Sequence, residues 1–349
     1  MSEKKHLTPV FIVYVDGKRL DTEHEGSLKT ITIDDRLNGT GAFSMVFDSA
    51  ETKVMDKELI SLESEVSIHL GYKDDVQEVF FGEVTMLKAV LRENSSEQLE
   101  VTGFSFLYKL ATASHFRSFE GKKPSDVIKG MLDSYSLKAK VDDFGVPRDF
   151  QSEEKRSDYK YLINMASMYG KQVYADGFTV YVKDEITVRK DEVILEWGKS
   201  LISFESNRNI KDLVSGINFI GWDPLKNEPF AGKGAYEDLP VKIGGQKDWT
   251  KKSKAGASRY AASDVSLNVH DSDEAKQLAV GELQNNSYLF SHARGKAQGN
   301  YKLRPGMRVT IKMTGEKFEG EYMAERVIHH FDRKSGYITE FELKRNMCV

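Results

Sequence analysis

Val66-Ser67-Ile68-His69-Leu70, followed after a loop by Phe80-Phe81-Gly82-Glu83, is the most informative stretch of this sequence, because a diverged copy of it returns near the end of the chain. The second copy reads Val309-Thr310-Ile311-Lys312-Met313 and then Phe318-Glu319-Gly320-Glu321. A weaker echo relates Ile31-Thr32-Ile33 through Phe47-Asp48 to Ile202-Ser203-Phe204 through Trp222-Asp223. Two copies of one strand-turn-strand unit predict two related β-domains in one chain.

The first 107 residues predict strands throughout. Val10 to Val15 is a β-branched and aromatic run closed by Asp16-Gly17, a dipeptide that favours a tight hairpin. Several short alternating runs with polar turns follow, and they indicate a first β-barrel over residues 1–107. The second copy predicts another, discontinuous barrel over residues 191–222 and 300–349.

Residues 108–190 predict an α/β module between the barrels. One helix is expected after Pro124-Ser125, and a second from Ser157 to Tyr169 ends at Gly170. Two alternating runs around Asp176-Gly177 indicate a hairpin. The fold class is therefore α+β and β-dominated, with two related antiparallel β-barrels and inserted α/β modules.

Residues 223–299 predict an inserted loop-and-helix excursion. The part over 223–262 is rich in Gly and Lys and has too few apolar residues for a core of its own, so we expect a surface loop. Asp271 followed by Glu274 resembles a capping box and predicts a helix to about His292.

Composition excludes several classes of function. The net charge is −4, from 50 Lys and Arg against 54 Asp and Glu, without a long block of one sign. Nucleic acid is therefore not an expected partner. The single cysteine, Cys348, allows no intramolecular disulfide or cysteine metal cage. No signal peptide or membrane-spanning apolar run is present in the sequence, which favours assembly in a bacterial cytoplasm.

The candidate catalytic and metal-binding residues favour structural roles. His329 and His330 are adjacent on a predicted strand, so their rings should point to opposite faces and not share one ion. Glu83 and Glu321 occupy matching positions in the repeat, where a turn hydrogen bond or salt bridge is expected rather than catalysis. The glycines between 232 and 245 match no phosphate-binding pattern. Lys247, Lys251, Lys252 and Lys254 form a basic cluster that indicates a solvated face. No catalytic residue, metal or cofactor is predicted.

The C-terminal motifs resemble one family. Leu303-Arg304-Pro305-Gly306, Phe318 to Tyr322, Val327 to Phe331 and Gly336-Tyr337 follow in the order typical of baseplate hub proteins of contractile phage tails, the late control D family. They are also similar to the N-terminal hub region of the VgrG spikes of type VI secretion systems. The positions that carry the motif in both copies are Phe80, Gly82, Glu83, Pro305, Gly306, Phe318, Gly320, Glu321, Tyr322, His329, Phe331 and Tyr337.

The resemblance implies a homotrimer with pseudo-sixfold symmetry. Three chains with two barrels each would match a hexameric tail tube protein on one side and a trimeric spike on the other. The sequence ends at Val349, soon after the second copy, so we expect the spike to be a separate protein. Tape measure or cargo could occupy a central channel. Such a protein would be a component of a phage virion or of a related contractile particle.

Two other functions stay open from the sequence. A hub or tail-tip protein could carry cell-wall hydrolase activity, although no nucleophile, metal or acid pair stands out. A carbohydrate- or receptor-binding β-module is the other alternative. The compact, mixed α/β sequence favours the structural hub over both.

Overall fold

The structure is a computed structural model that describes residues 8–48, 60–73, 75–93, 96–112, 114–147, 151–186, 188, 192–223, 226–245, 263–266, 269 and 271–348. The fold is β-dominated, and four α-helices lie in this described part of the chain. None of them is long and apolar enough to span a membrane. The predicted basic cluster of Lys247, Lys251, Lys252 and Lys254 lies outside the described residues.

The elements follow one another in three stretches. The first contains β1 Pro9–Val15, β2 Lys18–Arg19, α1 Thr22–Ser27, β3 Leu28–Arg36, β4 Ala42–Asp48, β5 Glu65–Tyr72, β6 Asp75–Val90 and β7 Gln98–Phe104. The second contains a 3-10 turn Phe106–Ala111, β8 Ser114–Phe119, α2 Pro124–Ser134, β9 Lys138–Val141, β10 Gln151–Ser157, α3 Asp158–Met168, β11 Gln172–Asp176 and β12 Thr179–Lys183. The third contains β13 Val193–Glu196, β14 Leu201–Arg208, β15 Gly216–Asp223, β16 Glu228–Ala235, a 3-10 turn Tyr236–Asp238, β17 Ser263–Ser266, α4 Ser272–Ser287, a 3-10 turn Tyr288–Phe290, β18 Ser291–Gln298, β19 Arg308–Lys312, β20 Gly320–Asp332 and β21 Gly336–Arg345.

One sheet joins the two ends of the chain. Within the described residues it has 13 strands in the order β14-β18-β21-β20-β3-β4-β7-β6-β5-β1-β2, while β19 pairs with β20 and with β13. Its pairs are antiparallel except β13 with β19. Three small sheets, β10-β8, β11-β12-β9 and β16-β15-β17, lie outside it.

The main sheet contains two strand sets with the same neighbour order. The N-terminal strand set is β3-β4-β7-β6-β5, and the C-terminal strand set is β14-β18-β21-β20-β19. Each set has a β-bulge at the same two places. Lys29 in β3 and Ile202 in β14 are the extra residues of the first bulge. Thr85 in β6 and Glu325 in β20 are the extra residues of the second. A bulge fixes the register of a strand. Residues at the same distance from matching bulges therefore occupy corresponding positions in the two sets.

The bulges confirm part of the repeat and correct the rest. The pairs that set the register are Val66 with Gly82 and Val309 with Tyr322. Gly82 lies as far before the bulge at Thr85 as Tyr322 lies before the bulge at Glu325. Val66 and Val309 therefore match as predicted. The prediction that Glu83 matches Glu321 is wrong, because Glu321 lies two residues farther from its bulge. Because the displacement is an even number of residues, both side chains still lie on corresponding faces of their strands. The alternation of apolar and polar residues therefore could not reveal the error.

The weaker echo is correct for one strand and wrong for the other. β14 corresponds to β3, but its neighbour in the sheet is β18, whereas Trp222 belongs to β15 in a separate sheet. The C-terminal set therefore takes its second strand from residues we placed in the excursion. The error arose because consecutive strands usually pair, and here a long insertion separates the partners.

The local predictions for the first two stretches are confirmed. Asp16 and Gly17 both have positive φ, 49° and 74°, in the β1–β2 hairpin, as a type I′ turn requires. α2 begins with Pro124, and the Ser157 side chain accepts a hydrogen bond from the Lys160 amide at the start of α3. The chain reverses between β11 and β12 in the expected hairpin, with Gly177 and Phe178 as the turn residues, one position after the predicted Asp176-Gly177.

The expectation of a surface loop after residue 223 is wrong for residues 226–245. β16 pairs with β15 and packs on α4, where a Cβ on Gly232 would lie 2.1 Å from the Lys276 amide nitrogen. Val241 and Ile243 are buried. Gly232 and Gly234 are there because the backbones of β16 and α4 approach closely, and α4 supplies the apolar side chains that the stretch lacks. α4 ends at Ser287, earlier than predicted.

Each strand set packs on its own apolar cluster. Phe43 and Phe47 lie in the cluster of the N-terminal set, and Phe341 lies in that of the C-terminal set. Phe331, at the end of β20, belongs to the cluster of the N-terminal set. A side chain of one set therefore completes the core of the other.

Candidate assembly surface

One face of the main sheet carries a row of alternating charges that crosses the strands. Its members are Glu205 on β14, Arg294 on β18, Glu342 on β21, Arg326 on β20 and Asp34 on β3. The Arg294 and Glu205 side chains approach to 2.8 Å, those of Arg326 and Glu342 to 3.0 Å, and those of Arg326 and Asp34 to 2.6 Å. Exposed pairs stabilise a fold by about 0–1 kcal/mol each. The row therefore sets the polarity of the face more than its stability.

Polar side chains extend this face on both sides of the row. Lys296 and Glu340 form a 2.6 Å ion pair, and Thr32 contacts His330 at 3.2 Å. Burial would raise the pKa of Asp34, but hydrogen bonds and charges from Arg326 and Arg36 outweigh it, so the pKa lies below its usual value. The face is thus polar and mixed in charge, as expected of a surface in contact with water.

Two grooves flank β14, which lies at one end of the main sheet in the described part of the chain. A groove of about 520 Å³ lies on the charged face and includes Phe204, Arg294 and Phe341 in its lining. On the other side, a groove of about 490 Å³ is lined by Trp197, Phe204, Glu205, Ser206, Met313, Thr314 and Phe318. Trp197 is 52% exposed and Met313 64% exposed. An apolar patch of this kind beside a strand edge is typical of an interaction surface.

A buried polar network lies where the N-terminal strands, the middle module and the C-terminal strands meet. The Arg304 guanidinium donates to the Tyr174 hydroxyl at 3.0 Å, to Asp176 Oδ1 at 3.2 Å and to the Glu78 carbonyl at 3.2 Å. Tyr174 in turn donates to Asp35 Oδ2 at 2.6 Å. Burial raises the pKa of Asp35 to about 6, although the Arg304 charge and the Tyr174 hydrogen bond partly offset it.

His329 lies close to this network and is held neutral. Its Nε2 donates to the Leu303 carbonyl at 3.1 Å, while its Nδ1 accepts from the Tyr337 hydroxyl at 2.8 Å. Burial and the Arg304 charge lower the pKa of His329 to about 3. His330 points to the opposite, polar face. The two rings therefore cannot share one ion, and no group of His, Cys, Asp or Glu in the described residues is arranged to hold a metal.

The two buried groups predict opposing effects of pH on stability. The pKa of Asp35 in the folded chain, about 6, exceeds its ordinary value of 3.8, so its contribution to stability is gained as pH falls from 6 towards 4. The pKa of His329, about 3, lies below 6.5, so stability is lost as pH falls below 6.5. Asp35→Asn removes only the first effect. Its unfolding free energy should therefore fall more steeply with acidification than that of the unchanged chain, by up to ~1.4 kcal/mol per pH unit.

Urea unfolding between about pH 7 and 4 measures this difference. Asp133→Asn, which alters an exposed carboxyl on α2, is the matched control and should run parallel to the unchanged chain. Parallel curves for Asp35→Asn would contradict the assignment of a raised pKa to Asp35.

The motif residues of the first copy belong to β6 and have structural contacts. Phe80 packs against Phe43 with ring centroids 5.6 Å apart. Glu83 is buried, accepts a 2.6 Å hydrogen bond from Lys109 Nζ and also accepts from the Tyr108 hydroxyl. A Cβ at Gly82 would meet the Phe104 carbonyl oxygen at 2.3 Å, so the site requires glycine.

The motif residues of the second copy lie in three separate places. Pro305 and Gly306 are buried in the turn before β19, where the Gly306 amide donates to the Ala324 carbonyl at 2.8 Å. Phe318, Gly320, Glu321 and Tyr322 form the turn into β20: Tyr322 donates to the Phe318 carbonyl at 2.8 Å, and Glu321 pairs with Arg308 at 2.6 Å. Phe331 and Tyr337 lie in the N-terminal apolar cluster. The motif thus marks turns and packing, and not one site.

The Arg304 network was not predictable from the sequence. Arg304 lies within a predicted motif, but its charge indicated an exposed side chain, and nothing near Asp35 or Tyr174 marked them as its partners. The charge row was equally hidden, because its members come from five strands that only the sheet order brings together.

Solved structures share this fold. The 43 kDa tail protein of prophage MuSo2 from Shewanella oneidensis has a TM-score of 0.67 and 14% identity, with 97% of this chain and 99% of that chain covered. A tail protein from Neisseria meningitidis MC58 has a TM-score of 0.66 and 14% identity, with 97% of each chain covered. A component of the Escherichia coli type VI secretion system, described as similar to bacteriophage T4 tail proteins, has a TM-score of 0.61 and 10% identity, covering 97% of this chain and 78% of that one.

The sequence comparisons give one family. No curated protein matches the chain. The structural similarity agrees with the resemblance to baseplate hub proteins noted from the motifs. A family model described as the Alg8 N-terminal domain matches residues 5–332, nearly the whole sequence, so the chain belongs to the Alg8 N-terminal domain family.

Proposed function

We propose that this chain is the structural hub of a contractile injection machine, in which a homotrimer joins a hexameric tail tube to a trimeric spike. Each strand set would form one barrel-like lobe, so three chains would present six similar lobes. The role is assembly and transmission of force, without catalysis. The machine would be a phage tail or a related particle that is assembled in a bacterial cytoplasm.

The observation that carries this proposal is the repeated strand set within one continuous sheet. The equal order of neighbouring strands and the two matching bulges support two similar surfaces in one chain. A subunit with two quasi-equivalent surfaces can adapt threefold to sixfold symmetry. The likeness to phage tail proteins over 97% of the chain supports the same assignment.

The charge row suggests which face of the sheet would line a central channel. The mixed charges keep most of this face hydrated, so an extended polypeptide would adhere to it weakly. We propose that this face lines a channel through the trimer and lets tape measure or cargo pass. The apolar patch around Trp197 and Met313 lies instead beside the β14 edge, where neighbouring chains would meet.

Electron microscopy of the purified chain tests the proposal. Class averages are expected to show a ring of six similar lobes around a channel, with a native mass of three chains. Addition of the tube and spike proteins from the same gene cluster should produce a stack with this ring between them. A ring of another order, or particles that assemble normally without this chain, would overturn the hub assignment.

A further inference from the structure

The joint between the two strand sets inside one chain has two counterparts, one on β6 and one on β14, where the corresponding strand edge has no partner strand among the described residues. β20 pairs with β21 along one side, and on its other side with β19 and then with β3. β6 has the same arrangement, with β7 on one side and β5 on the other, but beyond Val84 no described strand takes the place of β3. β14, the counterpart of β3, pairs only with β18 in the described part of the chain.

The bulges give the register that the counterparts would adopt. Ile328 lies three residues after the bulge in β20, and Lys88 lies three residues after the bulge in β6. Asp34 lies five residues after the bulge in β3, and Asn207 lies five residues after the bulge in β14. Because Ile328 pairs with Asp34 inside the chain, Lys88 would pair with Asn207 between chains.

Counting from the bulges also places the exposed side chain of Leu91 at the groove that Phe204 lines. Phe331, which pairs with Ile31 and completes the N-terminal apolar cluster, corresponds to Leu91. Ile31 corresponds to Phe204, which lines both grooves beside β14. Leu91 is 66% exposed, a large apolar surface for a single chain to leave in water. If Leu91 of one chain entered the Phe204 groove of another, it would complete an apolar contact between chains, as Phe331 does next to Ile31 within one chain.

We propose that β14 of one chain pairs in antiparallel register with residues 86–91 of a second copy of this chain, with Lys88 opposite Asn207 and Leu91 at the Phe204 groove. The contact is heterologous, because two different edges meet, and such contacts form rings when the rotation closes. Glu205, on β14, would lie diagonally near Lys88, an attractive charge pair across the joint. Closure at three chains rests on the proposed hub function, whereas the joint itself rests on the strand register.

Disulfide cross-linking tests the register. Lys88→Cys combined with Asn207→Cys in one chain is expected to give oxidised ladders of linked chains, since directly opposite strand residues lie within disulfide reach. The matched control is Lys88→Cys with Ser203→Cys, which in the proposed register lies ~13 Å away along β14. Each single variant controls for the native Cys348, which is buried. Cross-linking no stronger than in the register-shifted control overturns the proposal, whether the chain is monomeric or trimeric.

A second variant tests the apolar contact without cysteine chemistry. Leu91→Asp should weaken self-association at least about tenfold, measured by sedimentation, while the chain stays folded because Leu91 is exposed. Ile220→Asp, at a side chain 40% exposed on β15, should leave association unchanged. Unchanged association of Leu91→Asp overturns the joint. A trimer that does not form the cross-link would contradict the proposed joint but not the hub function. Cross-linked chains that do not form a closed trimer would support the joint and contradict the hub function.

Discussion

Arg304→Met is expected to reduce the unfolding free energy by about 3–5 kcal/mol near pH 8, because it leaves Asp35 ionised and buried without its cation. Arg304 is 4% exposed, and its guanidinium lies 4.0 Å from Asp35 Oδ2 and 3.2 Å from Asp176 Oδ1. Methionine fills much of the same volume, so the loss reports the charge and its hydrogen bonds more than packing. Urea unfolding of the purified chain measures it.

The loss should depend on pH and on the partner carboxyl. The pKa of Asp35 is already raised to about 6, and removal of Arg304 raises it further. Near pH 5 Asp35 is therefore protonated in the variant, and the loss should shrink. The double variant Arg304→Met with Asp35→Asn should lose less than the sum of the two single changes, by ~1–3 kcal/mol. Additive losses that are equal at both pH values would contradict a charge-based network.

The repeat was predictable because it depends on local patterns. Alternating apolar residues fix which face of a strand is buried. Asp16-Gly17 forms the predicted turn, and Asp176-Gly177 predicts the second hairpin to within one residue of its turn. Helix signals such as Ser157 and Gly170 act within a few residues and were equally readable. These features place the elements, and they predict a β-dominated chain with an α/β module.

Pairing across long separations was not predictable in the same way. β18 joins β14 across an insertion that contains a sheet and a helix, and no local pattern distinguishes this partner from β15. Gly232 resembled a loop residue because its close contact with α4 exists only in three dimensions. The candidate assembly surface depends on such pairings, so the sequence predicted many of its strands but not which residues lie together on it.

Arg345 is the other side chain whose loss should have a large effect. It is fully buried on β21, and its Nη1 and Nη2 donate to the carbonyls of Glu319 and Lys317 at 2.7 Å each. Its guanidinium lies 4.3 Å from the ring centre of Tyr322. Burial lowers the pKa of Arg345 to about 10, so the cation is held at a cost in desolvation. In return it fixes the turn that leads into β20, next to the apolar groove beside β14.

Arg345→Ala should therefore lower the unfolding free energy by about 3–5 kcal/mol, since it leaves a cavity and two carbonyls without their donors. Arg345→Met should lose only ~1–3 kcal/mol, because it keeps the volume and relieves the buried charge. Both variants should increase hydrogen exchange in residues 315–320, where the hydrogen bonds to the turn are lost. Arg294→Ala, at a side chain 72% exposed, is the control and should change stability by less than about 0.5 kcal/mol. Equal losses for Ala and Met, without faster exchange in the turn, would show that Arg345 does not hold this segment.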